Sequence, residues 1–127
     1  MNTLTFPSGP WTGFFNYAAG GQKVRTDMVL HFTGDRVTGE GCDSVGPFVI
    51  DGRFSREAGD CWWMKNYVGA HSVWYRGFRE GKGIWGTWEI PGDRQGGFQI
   101  WPVGEEPAEA SAATREEEIP AEPVRAS

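Results

Sequence analysis

Leucine is nearly missing from this 127-residue chain, which has only Leu4 and Leu30. Alanine is sparse before Ala108. A chain so short of helix formers is not expected to build a helical domain. No apolar run approaches the roughly 20 residues of a membrane span, so no membrane partner is expected. Residues 1–103 balance ten acidic against ten basic side chains. Without a basic excess there is no electrostatic footprint for nucleic acid. Two histidines and two cysteines, at 31, 71, 42 and 61, show no metal-ligand spacing. Phosphate-binding loops and nucleophile elbows are absent too, so no cofactor and no metal are expected. The opening "MNTLTFPSGP" has no basic segment followed by an apolar run. The expectation is a cytoplasmic, reducing setting with both cysteines as free thiols.

The chain does have 19 glycines, 8 prolines, 8 phenylalanines, 7 tryptophans and 3 tyrosines. Aromatics interleaved with glycine favour short strands and tight turns. Turn signals recur about every ten residues, and eight strands read between them: 11–17, 24–32, 36–42, 47–55, 61–67, 71–78, 83–90 and 96–102. All connectors are short, which makes sequential neighbours antiparallel. Eight such strands form a meander, and closing it removes both exposed edges. The predicted fold is a single all-β, eight-stranded up-and-down barrel over residues 11–103. A sandwich is the alternative. Residues 1–10 form an N-terminal arm.

Alternation assigns the faces. Met28, Leu30 and Phe32 share one side of their strand, as do Phe48, Ile50, Gly52 and Phe54. Ile84, Gly86, Trp88 and Ile90 form a third such set, and Phe98 with Ile100 a fourth. Each apolar set is expected inside. Glycines 13, 39, 52, 77 and 86 lie mid-strand, where they suit the sharp bends of a small barrel. The whole net charge of −5 sits in residues 104–127, rich in Glu, Pro and Ala. Such a segment buries too little to offset its ordering entropy and is read as a disordered acidic tail.

The stretch "WWMKNYVGAHSVWYRGF", residues 62–78, holds the candidate chemistry. If Cys61, Trp63, Lys65 and Tyr67 face inward, a lysine lies inside the barrel, and a buried ammonium needs a partner. Asp43 closes the inner face of strand 36–42, and strand 71–78 offers His71 and Tyr75. Asp43, Lys65, Tyr67, His71 and Tyr75 then form a polar cluster at one mouth, among apolar walls. The plainer alternative is a structural ion pair within a packed aromatic core.

The stretches "VTGEGCDSVGPFVIDGRFS", "WMKNYVGAHS" and "GIWGTW" resemble the middle of the avidin and streptavidin barrel, over roughly residues 36–88. The broader lipocalin-like (calycin) architecture is similar as well. The avidin resemblance implies that Trp63 and Trp88 match the tryptophans walling the biotin pocket, and that Ser72 matches a polar ligand contact. The chain departs from that pattern where Gly41 replaces a contacting tyrosine, Asp43 a serine and Trp74 a threonine. Arg76 falls where a tryptophan is expected. The resemblance therefore implies a pocket in that place more than it implies biotin. It would also turn Ser72, Trp74 and Arg76 inward, whereas the polar cluster needs His71, Val73 and Tyr75 inward. The second choice is adopted, because an internal Arg76 would need a further anion.

The expected function is binding of a small, partly apolar molecule inside the barrel by Asp43, Trp63, Lys65, Tyr67, His71, Tyr75 and Trp88. One rival is an enzyme using Lys65, His71 and Asp43 as acid–base groups. Another is an interaction module with a filled core. Trp62, Trp85 and Trp101 are read as outward-facing, and Trp85 with Trp101 as an exposed patch for self-association.

Overall fold

The computed structural model describes residues 6–17 and 21–106. They form one closed antiparallel barrel with strand order β1 to β8. The strands are β1 (Gly9–Tyr17), β2 (Lys23–Thr33), β3 (Arg36–Asp43), β4 (Pro47–Phe54), β5 (Asp60–Tyr67), β6 (Ser72–Glu80), β7 (Gly83–Ile90) and β8 (Arg94–Pro102). β1 closes onto β8, from Trp11 opposite Pro102 to Tyr17 opposite Gly96. Each expected strand is present with its ends within two residues. No helix occurs among the described residues. Of the tail expected to be disordered, residues 104–127, only 104–106 are described, and the rest lies outside the described residues.

Alternation predicted the faces correctly because a closed barrel has only one inside. Phe48, Ile50 and Phe54 are buried, as are Cys61, Trp63, Lys65 and Tyr67. On β6, Val73 and Tyr75 are buried while Ser72, Trp74 and Arg76 are exposed. Gly77 and Gly86 face each other across β6 and β7. A Cβ on Gly86 would lie 2.1 Å from the Arg76 carbonyl oxygen, so two glycines let these strands approach closely.

One expectation is corrected. Trp101 is only 9 % exposed. It stands outside the central core, but its ring packs edge-on against Phe14 at 6.2 Å, so an outward direction did not mean exposure. The exposed aromatics of the outer wall are Trp62, Trp74, Phe78 and Trp85, at 43–51 %. In the N-terminal arm, the described residues pack on the barrel. Phe6 is buried and plugs the end of the barrel where β1 begins. Its ring packs with Trp11, Phe32 and Phe54, and the Arg79 guanidinium covers it at 3.8 Å. Trp11 Nε1 donates to the Pro7 carbonyl and Ser8 Oγ accepts from the Phe32 amide, both at 2.9 Å, which fixes the plug.

Candidate functional site

The opposite end, where β1, β3, β5 and β7 finish, carries the polar groups. Asp43 terminates β3 and shapes its own turn. Its backbone exchanges hydrogen bonds with Gly46, and Oδ1 accepts from the Val45 amide at 2.9 Å. The carboxylate points into the barrel, where Oδ2 accepts from Lys65 Nζ and from the Tyr67 hydroxyl, each at 2.8 Å. Lys65 Nζ also reaches the Tyr75 hydroxyl at 3.5 Å. The lysine and aspartate side chains are 3 % and 0 % exposed.

Aromatic faces complete the lysine's surroundings. Nζ lies 4.2 Å from the centre of Phe48, 4.7 Å from Phe15, 4.9 Å from Tyr67 and 5.5 Å from Tyr75. Ring quadrupoles attract a cation within about 6 Å, and more strongly where water is excluded. Carboxylate and rings together answer the need for a partner. Burial still lowers the lysine pKa, opposed by the hydrogen bond and charge of Asp43. Burial raises the phenol pKa of Tyr67, with the Asp43 hydrogen bond adding to it. Tyr75 is raised by burial and then by the charge of Asp43. Both phenols therefore stay neutral at pH 7, as the Tyr67 donor bond requires.

Above this network lies a recess of about 190 Å³. Its walls include Phe15, Tyr17, Tyr67, Tyr75 and Trp88, with His71 and Arg94 also lining it. Tyr17 and Trp88 meet at 5.4 Å and 89°, and Phe15 and Trp88 at 6.2 Å and 84°. Trp88 is held from two sides. Its Nε1 donates to the Asn16 carbonyl at 2.9 Å, and its ring lies over Gly96, where a Cβ would come within 2.7 Å of it. The middle of the barrel is packed, with a void of only about 10 Å³, about the size of one water.

Comparison of the chain with protein-family models, curated proteins and solved structures finds no match.

Asp43, Lys65, Tyr67 and Tyr75 form one hydrogen-bonded group. His71 lines the recess but stays out of that network. It is exposed, with its ring 5.1 Å from that of Tyr67, whose hydroxyl occupies Asp43. Trp88 is a wall of the recess. Trp63 lies deeper, stacked on Tyr75 at 5.6 Å and 13° and edge-on to Phe98. Sequence reading missed Phe15, Tyr17 and Arg94. Phe15 and Tyr17 were within reach, since they share one face of a predicted strand. Arg94 lay in a stretch read as a connector, and nothing in a turn sequence says where an arginine points. Cys61 is buried and its thiol is pushed up to about 12 by burial, which makes it unreactive.

Proposed function

We propose that the barrel binds a small, partly apolar molecule in the recess at its His71 end. The observation that carries this reading is an aromatic-walled space of about 190 Å³ above a polar network whose charges are already paired. Apolar walls with a few polar groups at the rim are the usual makeup of a small-molecule site. Sites for drug-sized ligands run to about 300–1,000 Å³, so the ligand here is smaller, on the scale of one ring or two fused rings. Lys65 serves the site structurally: it holds Asp43 and keeps the floor formed. A cytoplasmic setting fits the free thiols of Cys42 and Cys61. Native mass spectrometry of protein purified from its own source tests the proposal. A retained adduct, lost on denaturation, supports it. A bare mass, together with no response to any aromatic fragment at millimolar concentration, overturns it.

A second reading concerns partners. Phe78 stands directly opposite Trp85 on the outer wall, with Trp74 exposed on the same strand, β6, and Trp62 exposed on the adjoining β5. Contiguous exposed aromatics mark interfaces, and we infer self-association through this wall, without Trp101. Sedimentation at micromolar concentration checks it. A dimer lost in Trp85→Ser supports the reading, and monomer alone rejects it.

A further inference from the structure

We infer that the recess selects a planar ring bearing a carboxylate, with Arg94 as the group that receives the charge. The inference rests on the ligand-binding reading of the same recess. Three features of the lining lead to it.

The first is charge. Among the described residues the recess is lined by one guanidinium, Arg94, and one imidazole, His71, and by no carboxylate. The closest acid beneath the floor, Asp43, has no exposed side-chain surface and accepts from Lys65, Tyr67 and Val45. It has nothing left to offer a cationic ligand. Asp93 meets Arg94 Nε at 3.7 Å with both side chains more than half exposed. A pair that long and that exposed is weak, so a ligand carboxylate competes with it easily.

The second is the setting of Arg94. It is the first residue of β8 and pairs in register with Ile90 across a tight turn, so its backbone is fixed at the rim. Its guanidinium lies 5.3 Å from the centre of the Tyr17 ring. An arginine resting on an aromatic ring is partly ordered already, and its planar fork matches a carboxylate in two-point geometry.

The third is shape. The nearly perpendicular rings of Tyr17, Phe15 and Trp88 form a corner in which a flat ligand stacks on one face and meets the others edge-on. Such a ring places its substituent at the rim, within the reach of Arg94.

Calorimetric titration of the full chain with benzoate and indole-3-carboxylate, against benzamide, indole-3-carboxamide and benzylamine, tests the inference. The wild type should prefer each carboxylate over its amide by about three- to tenfold, the range of a partly exposed charge-assisted pair. Arg94→Gln should reduce that preference to less than about twofold, read as the ratio of carboxylate to amide affinity within the variant. Arg94 is exposed, so this variant should fold normally, which its thermal midpoint verifies. If rings bind but carboxylate and amide bind equally, or benzylamine binds best, the charge assignment fails while the binding site stands. A carboxylate preference that survives in Arg94→Gln removes Arg94 from the role. If no ring binds at all, the underlying binding proposal fails with it.

Discussion

The two ends of this barrel are built from similar amounts of aromatic side chain but behave oppositely. At the Phe6 end, Phe6, Trp11, Phe32 and Phe54 pack ring on ring at 5.1–6.2 Å. Three of these are phenylalanine rings with no polar atom to satisfy, and the one polar atom of the Trp11 ring is met by the Pro7 carbonyl, so the four close on one another. At the His71 end the rings include Tyr17, Tyr67 and Tyr75, and a lysine and an aspartate stand among them. Hydroxyls and charges have to be paired when buried. Asp43, Lys65 and Tyr67 draw together for that reason, and the rings above them are held apart as walls. The need to satisfy polar groups thus decides which end is sealed and which keeps a space.

The comparison breaks most easily through a pair of truncations. Trp11→Ala empties a fully buried site in the plug and is expected to cost about 4 kcal/mol. Tyr17→Ala removes a half-buried wall of the recess and is expected to cost less than about 1 kcal/mol. Urea denaturation of both variants checks this. Equal costs would mean that the recess end is packed as tightly as the plug.

Next in size is Lys65→Met, which keeps the stem and removes the charge. It leaves Asp43 buried without its cation and is expected to cost about 3 kcal/mol. The double variant Lys65→Met/Asp43→Asn should recover part of that loss. A cost within about 0.5 kcal/mol would place Lys65 at the surface and dissolve the floor of the site.

Alkaline pH separates the ends by titration. The folded-state pKa of Cys61, at the plugged end, rises from 9.0 to about 12, so its contribution is complete below pH 9 and is lost as pH rises through 12. Tyr67 and Tyr75, at the open end, are raised above 10.0 and contribute the same loss from pH 10 upward. Lys65 is lowered below 10.5 and acts in the opposite direction over that window. Cys61 alone should account for a fall of about 2 kcal/mol between pH 9 and 11, the amount linkage assigns to a thiol raised this far. In Cys61→Ala the decline should begin a unit later. Urea midpoints under reducing conditions read this out, and a flat or rising profile would contradict it.

Much of this contrast was legible in the sequence. The inward position of Lys65 follows from Cys61, Trp63 and Tyr67 sharing its parity. The register of β6 followed from asking what an internal Arg76 would pair with. Glycine turns placed the strand ends. The missed features share a physical cause, in that each depends on a contact outside the alternation of a strand. Phe6 precedes β1 and is positioned by Pro7 and Ser8. Trp101 points outward by parity, yet Phe14 on the neighbouring strand covers it. Arg94 reaches the recess because the β7–β8 turn ends at the rim. The sequence placed Asp43 near Lys65 but did not say whether the pair was closed or waited for a ligand anion. That depended on the Tyr67 hydroxyl and the Val45 amide, which are brought to Asp43 only by the folded chain.

The claim that only one end of the barrel receives a ligand is tested most directly by amide and indole N–H chemical-shift mapping during titration with benzoate. The expected result is saturable shifts confined to Tyr17, Tyr67, His71, the Trp88 indole and Arg94, with Phe6, Trp11 and the outer-wall Trp62 and Trp74 unmoved. Shifts centred on Phe6 and Trp11, or on the outer wall alone, would contradict the account.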